Sequence, residues 1–132
     1  MDTELRLGLI GVACLDVEAR YTAREVASGD VDVLATPVMV RLMEEASVNA
    51  VRHALPAGKA TVGMHLDVKH IAPTPIGLSV EARAELVAID GRRLTFEVEA
   101  HDSQEQIGLG THRRVIIDLA DFQARAQAKR SS

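Results

Sequence analysis

Apolar side chains recur at helical spacing over one long stretch of the chain. Between residues 37 and 55 they fall at Met39, Leu42, Met43, Ala46, Ala50 and Ala54, close to the helical period of roughly 3.6 residues. Thr36 is typical of a helix cap, Pro37 suits the first helical position, and Pro56-Ala57-Gly58 is typical of a helix end. The pattern therefore predicts one long helix in the first half of the chain.

Beyond this helix the apolar positions alternate with polar ones, as they do in β-strands. One such run, at Val62, Met64, Leu66, Val68 and His70, predicts that these side chains share one face of a strand. Residues 78–88, 94–100 and 107–118 predict three more strands, and Asp90-Gly91 is typical of a tight hairpin between the first two. Residues 12–21 predict an earlier strand, residues 22–35 a loop, and residues 118–129 a short terminal helix.

One helix covers only one face of such a sheet, so the economical arrangement is an antiparallel sheet wrapped around a central helix. The fold class is therefore α+β, and the 132 residues fit a single domain spanning residues 1–132. Aromatic residues make up 2% of the chain, so we expect a core of small aliphatic side chains. That composition and the free edge of the sheet indicate a second copy of the chain as a partner.

Charge and cysteine content argue against several classes of protein. The net charge of -4 argues against nucleic-acid binding. No apolar run reaches the roughly 18 residues of a membrane span, and the acidic start Met1-Asp2-Thr3-Glu4 is unlike a secretory signal. With Cys14 as the single cysteine there is no intrachain disulfide, so we expect a cytoplasmic protein in which Cys14 is a small buried residue.

Three polar residues border the predicted apolar surfaces and are candidates for catalysis. His70 lies in phase with its apolar strand, and a histidine there can exchange a proton near neutral pH. Glu44 borders the apolar stripe of the helix, whereas Glu45 faces solvent, and a partly buried carboxylate can act as a base or a nucleophile. Thr36 lies about two turns before Glu44, so the two could line one side of a groove. Taken alone, each has a structural alternative: a core-edge histidine, a surface charge and a helix cap.

Gly63 interrupts a strand, which often marks a bulge or the close approach of a ligand. An accessible amide there could polarise a carbonyl group, although simple packing is the alternative. The other histidines, His53, His65, His101 and His112, show no spacing typical of metal ligands. No phosphate-loop, dinucleotide-binding or serine-elbow motif is present, so we predict neither a metal nor a cofactor.

Five segments together resemble the hot-dog-fold thioesterases of the fluoroacetyl-CoA thioesterase type. They are ATPVMVRLME at residues 35–44, TVG at 61–63, HIAPTP at 70–75, GRRL at 91–94 and IGLGTHRR at 107–114. The likeness spans residues 12–122. It implies a hot-dog fold, a homodimer or higher oligomer with active sites at the subunit interface, and hydrolysis of an acyl-CoA. It also assigns catalytic roles to Thr36, Glu44 and His70, and a substrate contact to Gly63.

The loop before Thr36 departs from the family, whose fluoroacetyl-specific member carries phenylalanines there. Residues 27–34 read ASGDVDVL and contain no aromatic residue, so we expect a short- or medium-chain acyl group rather than a fluorine-selective pocket. Arg113 and Arg114 are candidates for contacts with the CoA phosphates, the alternative being exposed strand charges. A non-catalytic acyl-CoA binding module and an enoyl-thioester hydratase or dehydratase are alternative functions on the same fold.

Overall fold

A five-stranded antiparallel sheet wraps one long helix in this computed structural model, which describes residues 4–131. The acidic start, apart from Glu4, lies outside the described residues. The strands are β1 (Ile10–Asp16), β2 (Lys59–His70), β3 (Ser79–Asp90), β4 (Arg93–Asp102) and β5 (Gln106–Asp118), and the helices are α1 (Thr36–Val51) and α2 (Leu119–Ala128). The strands lie in the order β1-β3-β4-β5-β2, and α1 packs on the inner face of the sheet. The predicted α+β arrangement is confirmed.

The predicted long helix is present, but it begins differently from the prediction. Its apolar stripe is buried against the sheet, and Met39, Leu42 and Met43 are each 0% exposed. The residue at the N-cap position is Ala35, which makes no side-chain cap hydrogen bond. The prediction that Thr36 caps the helix is therefore wrong, because Thr36 is the first helical residue and its hydroxyl bonds to another element.

β3 and β4 bury their inner faces beneath α1. Alternate residues are buried throughout β4 and from Val80 to Leu86 in β3, as the sequence pattern predicts, but the register of β3 shifts between Leu86 and Ala88 and Ala88 is exposed. The buried set is Val80, Ala82, Ala84, Leu86, Leu94, Phe96, Val98 and Ala100. The two strands meet in the predicted tight hairpin, where Asp90 pairs with Arg93 and Gly91 adopts a φ of 61°, a backbone conformation that favours glycine.

β2 departs from the predicted alternation because it contains a bulge. Its pairing with β5 shifts register between Gly63 and His65. Such an extra residue reverses the faces to which the side chains beyond it point. Gly63 before the bulge and Leu66 and His70 after it therefore face α1. The prediction that Val62, Met64, Leu66, Val68 and His70 share one face of the strand is wrong before the bulge and correct after it.

β1 is shorter than predicted, since residues 12–21 do not form one strand. It ends at Asp16, and a 3₁₀ turn follows at Ala19–Tyr21. Within β1 the alternation places Ala13 towards α1, where it is 6% exposed. Cys14 therefore points to the opposite face and is exposed, so the prediction that it is buried is wrong.

The loop before α1 and the terminal helix after β5 agree with the sequence prediction. The loop at residues 22–35 is folded back on itself, with isolated bridges between Thr22 and Leu34 and between Val33 and Pro75. The terminal helix α2 begins after Asp118, whose carboxylate accepts a hydrogen bond from the amide of Asp121 at 3.1 Å. Within residues 4–131, no helix is long and apolar enough to cross a membrane.

Candidate active site

Thr36 and His70 meet where the start of α1 approaches the end of β2. The hydroxyl oxygen of Thr36 lies 2.7 Å from Nδ1 of His70, although 34 positions separate the two residues in the sequence. In the tautomer with its proton on Nε2, the ring accepts this hydrogen bond and the threonine donates it. The fold therefore joins two of the three residues that the sequence predicts as catalytic.

The second ring nitrogen of His70, Nε2, is buried and makes no hydrogen bond with any group of residues 4–131. Burial lowers the pKa of His70 from its ordinary 6.5, and the nearby backbone of Ala72 partly offsets this effect. The ring is thus neutral near pH 7. An unsatisfied buried polar atom is costly in a folded protein, and a bound ligand can satisfy it.

A cavity of about 340 Å³ opens beside this pair. Thr36 and His70 share its lining with Ala23, Ser28, Gly29, Val31, Val33, Leu34, Ile71, Ala72 and Pro73. One wall is the loop before α1. An ion pair of 2.9 Å between Arg24 and Asp32 joins the two ends of this loop. The lining is mostly aliphatic and includes no Phe, Tyr or Trp side chain, so the cavity suits a small apolar group.

Glu44 lies in a second cluster, further along α1. Its side chain is 39% exposed, and its Oε2 atom lies 3.5 Å from Nη1 of Arg114. A Cβ added to Gly63 would lie 2.8 Å from the same oxygen. The absence of a side chain at Gly63 therefore leaves room for the carboxylate. Thr36 is about 12 Å away along the helix axis, at 1.5 Å per residue. Within the described chain, the predicted catalytic trio is therefore divided between two clusters.

Arg114 is the buried cation of this second cluster. Its side chain is 7% exposed. Nε donates to the hydroxyl of Thr61 at 2.9 Å, and Nη2 donates to the carbonyl of Thr61 at 3.0 Å. Nη1 lies 3.1 Å from Nε2 of His112. Burial lowers the pKa of Arg114 and the carboxylate of Glu44 opposes this, and a guanidinium remains charged in proteins.

The two arginines predicted to contact the CoA phosphates point to opposite faces of β5, as neighbours on a strand do. Arg113 is exposed on the outer face, whereas Arg114 is buried on the inner face. A surface contact with a phosphate therefore does not fit Arg114, whose donors bond within the chain. The alternative of an exposed strand charge also fails for Arg114 and describes Arg113.

Thr61 and His112 belong to the second cluster, although neither is among the predicted site residues. The pattern of β5 contains a signal for His112, because His112 and Arg114 alternate with exposed residues and are in phase with the buried face. A histidine and an arginine on the inner face of a strand need polar partners there, which predicts a polar cluster beneath the helix. Among residues 4–131, no group of three His, Cys, Asp or Glu side chains could hold a metal ion.

Comparisons with known proteins point to one family. The family model described as FlK, fluoroacetyl-CoA-specific thioesterase, matches residues 17–120. The fluoroacetyl-CoA thioesterase of Streptantibioticus cattleyicolor is 45% identical over 98 residues, which are 74% of this chain and 70% of that protein.

Solved structures agree with this match. A structure of the fluoroacetyl-CoA thioesterase FlK has a TM-score of 0.88 and 38% identity, covering 95% of this chain and 97% of that chain; a variant of it is solved in complex with acetyl-CoA. A hot-dog-like protein from Thermanaerovibrio acidaminovorans has a TM-score of 0.85 at 20% identity, covering 95% of this chain and 93% of that chain. The predicted hot-dog fold is therefore confirmed.

Proposed function

Because this chain belongs to the family of fluoroacetyl-CoA-specific thioesterases, we propose that it hydrolyses an acyl-CoA to a carboxylic acid and free CoA. Water adds its oxygen to the thioester carbon, the carbon–sulfur bond breaks, and the sulfur takes up a proton. The observation that carries the proposal is the Thr36–His70 pair, which leaves a buried ring nitrogen unsatisfied beside an aliphatic cavity. The reaction uses no cofactor beyond the CoA of the substrate.

Thr36 and His70 act on the thioester carbonyl in this proposal. The threonine hydroxyl donates to Nδ1, so the ring keeps its proton on Nε2 and can donate it in a hydrogen bond to the carbonyl oxygen. Negative charge develops on that oxygen as the carbon is attacked, and a preorganised donor stabilises it. The acyl chain then extends into the cavity beside the pair.

Glu44 supplies the carboxylate that activates the attack. In one route it takes a proton from the attacking water and passes it to the departing sulfur. In the other it attacks the carbonyl carbon itself and displaces the CoA thiolate; water then hydrolyses the mixed anhydride, which releases the acid, restores the carboxylate and supplies the proton that the thiolate takes up. Arg114 holds the carboxylate in both routes, and the main chain at Gly63 provides the surface against which the thioester lies.

Both routes need Glu44 close to His70, so the proposal includes a second copy of the chain. β2 is the end strand of the sheet, and β5 is the neighbour with which it pairs among the described residues. On β2, Met64 is 49% exposed and Leu66 is 39% exposed. An edge strand with uncovered apolar side chains and unpaired backbone groups favours pairing with another strand.

A two-fold axis at Asp67 would unite the two clusters, counting Met64 as the unpaired residue of the bulge. If β2 pairs there with β2 of a second copy, antiparallel, then His70 of one strand lies opposite Gly63 of the other. The Thr36–His70 pair of each chain then faces Glu44 of its partner. The proposed dimer thus contains two composite sites, each with the acid from one chain and the hydroxyl and imidazole from the other.

The activity is tested by measuring free-thiol release from a panel of straight-chain acyl-CoAs that includes fluoroacetyl-CoA. We expect turnover of short or medium chains, and no strong preference for fluoroacetyl over acetyl, because the cavity lining has no aromatic lid. The matched control is Glu44→Gln, which keeps the shape, removes the charge and should lower turnover more than tenfold, a barrier change above about 1.4 kcal/mol. Binding without thiol release would instead favour a non-catalytic module, and loss of water from a 3-hydroxyacyl-CoA a dehydratase.

Mixed dimers test the composite site. Thr36→Val and Glu44→Gln each remove one half of the machinery, and the two variants are unfolded, mixed and refolded together. If the sites are shared between chains, each mixed dimer keeps one intact site, and activity returns to about a quarter of the wild-type value. If each site lies within one chain, no mixed dimer contains an intact site and activity stays at the level of the single variants.

Arg113 is the residue that we propose for contact with the CoA phosphates, because its guanidinium is exposed and suited to phosphate oxygens. Arg113→Gln should then raise KM and leave kcat unchanged. A cytoplasmic location belongs to the same proposal and rests on Cys14 being the single cysteine of the chain.

A further inference from the structure

His112 is a buried histidine to which the proposed reaction gives no part. It is 0% exposed, on the inner face of β5. Its Nδ1 lies 2.8 Å from the carbonyl oxygen of His65, and its Nε2 lies 3.1 Å from Nη1 of Arg114. Both ring nitrogens are therefore bonded within the chain, and the ring is fixed in orientation.

These two partners determine which nitrogen carries the proton. A carbonyl oxygen can only accept, so Nδ1 carries the hydrogen, and a guanidinium can only donate, so Nε2 presents its lone pair. Burial lowers the pKa of His112, and the charge of Arg114 lowers it further, against the opposing effects of the His65 carbonyl and Glu44. The ring is therefore neutral near pH 7, as an acceptor for Arg114 must be.

The lone pair of His112 fixes the one guanidinium nitrogen that faces Glu44. Thr61 holds the other two nitrogens of Arg114, and Nη1 has His112 as its nearer partner. The distance from Nη1 to Glu44 is 3.5 Å, longer than the roughly 2.7–2.9 Å of a strong charged hydrogen bond. Without the imidazole acceptor, the planar guanidinium would still be held at Nε and Nη2 by Thr61 but could tilt about the line through these two atoms, and this tilt would change the distance from Nη1 to the carboxylate.

We propose that His112 is a positioning residue for thioester hydrolysis, whose Nε2 lone pair holds Nη1 of Arg114 beside the carboxylate of Glu44. This inference rests on the role of Glu44 in the proposed function. The charged and titratable groups around the ring are Arg114 on the same strand, Glu44 on α1 and His65 on β2, while β4 contributes the apolar ring of Phe96, 6.4 Å away between centroids.

A pair of amide variants separates the two hydrogen bonds of the ring. In His112→Gln the side-chain oxygen reaches the position of Nε2 and still accepts from Arg114. In His112→Asn the side-chain nitrogen replaces Nδ1 and still donates to the carbonyl of His65, but no acceptor faces Arg114. We expect the Gln variant to keep kcat within about threefold and the Asn variant to lose at least tenfold in kcat, about 1.4 kcal/mol, with KM changed less than threefold in both.

A purely structural role would affect both variants alike, because both lose the ring and its packing. Equal kcat values for the two variants, or a lower value for Gln, would overturn the proposal. The Arg114→Met background provides the matched control: if His112 acts through Arg114, the difference between Gln and Asn disappears there.

Two NMR measurements keep the proposal distinct from the proposed function. The ring nitrogens of wild-type His112 should show a proton on Nδ1 and none on Nε2 at pH 7, and the opposite tautomer or a doubly protonated ring would overturn the proposal even if neither variant folds. The Nη1 signal of Arg114 should keep its wild-type position in the Gln variant and shift in the Asn variant, whereas the Nη2 signal, held by the carbonyl of Thr61, should stay in place in all three proteins. Absence of thiol release from every acyl-CoA would contradict the proposed function, whereas these two NMR results decide whether His112 positions Arg114.

Discussion

Gly63→Ala is a substitution whose effects on activity and on stability should differ. The added Cβ would lie 2.8 Å from Oε2 of Glu44, whereas ordinary contact begins at 3.4 Å. The carboxylate must therefore retreat by about 0.6 Å from the position that it holds beside Arg114. Since a misplacement of about 1 Å in a catalytic group can cost roughly 100-fold in rate, we expect kcat to fall about tenfold.

The cost in stability should be small. The nearest obstructing atom is the end of a flexible side chain that is 39% exposed, so it can move without disturbing the core, and the next, Cε1 of the buried His112, lies at 3.3 Å and needs to give way only slightly. Alanine also has fewer unfolded conformations than glycine, which favours the folded state by about 0.4–1 kcal/mol where the backbone permits it. We expect the free energy of unfolding in urea to change by less than about 1 kcal/mol.

Gly11→Ala provides the contrasting control. A Cβ at Gly11 would overlap the backbone of α1 at Ala46 and Ala50, which cannot withdraw as a side chain can. We expect a loss of at least about 1–3 kcal/mol in the free energy of unfolding, as in other overpacked cores. Because Ala46 lies two residues after Glu44 on α1, the contrast between the two glycine variants is made in the free energy of unfolding and not in kcat.

A double variant tests whether the loss of activity comes from Glu44. Glu44→Asp shortens the side chain by one methylene and withdraws the carboxylate from the new methyl group. Adding Gly63→Ala should therefore cost less in kcat in the Asp background than in the wild type. A Gly63→Ala enzyme with kcat within twofold of the wild type, or an equal loss in both backgrounds, would refute this reasoning.

Three further predictions concern the other parts of the site. Thr36→Val removes the hydroxyl that bonds His70 and should lower kcat at least tenfold, while Thr36→Ser stays within about fivefold; steady-state kinetics check both. Burial lowers the pKa of His70 and of His112 from 6.5, so the unfolded chain binds more protons than the folded one, and the free energy of unfolding should fall as the pH drops through 6.5. Urea titrations from pH 5 to 8 would show this fall, with a smaller slope for His112→Gln. A free energy of unfolding that does not change with pH would contradict the prediction. Leu66→Asp charges the apolar edge of β2 and should give folded, inactive monomers by light scattering and circular dichroism; active monomers would exclude the composite site.

Local periodicity was sufficient for most of the fold. The alternation in β3 and β4 and the apolar stripe of α1 depend only on neighbours in sequence, so they could be predicted from the chain alone. The bulge after Gly63 could not, because a bulge is a relation between two strands and leaves the alternation of residue types on one strand unchanged. The exposure of Cys14 could not be predicted either, because its neighbours in β1 are apolar on both faces and do not show which face is buried.

The sequence singles out candidate residues for the site, but it does not show how all of them group in space. Thr36, Glu44 and His70 stand out by position and family likeness, and the contact between Thr36 and His70 agrees with their grouping. The place of Glu44 beside Arg114 instead depends on how α1 crosses β5, which no spacing in the sequence records. The exposed Arg113 and the buried Arg114 differ for the same reason, since two adjacent arginines are equivalent until the inner face of the strand is known.

Because the trio is divided between two clusters, the number of residues between Gly63 and His70 on β2 matters for the proposed composite site. A site within a single chain would not depend on that number in the same way. One pair, Thr36 with His70, lies at the start of α1 and the end of β2; Glu44 and Gly63 lie further along α1 and nearer the start of β2. In the proposed dimer, the two-fold axis across the middle of β2 brings the Thr36–His70 pair of each chain beside the Glu44–Gly63 pair of its partner. Inserting one residue between the bulge and His70 would turn that ring to the outer face. Such an insertion would remove the contact between Thr36 and His70 within the chain and, in the proposed dimer, also the approach of His70 to Glu44 of the partner.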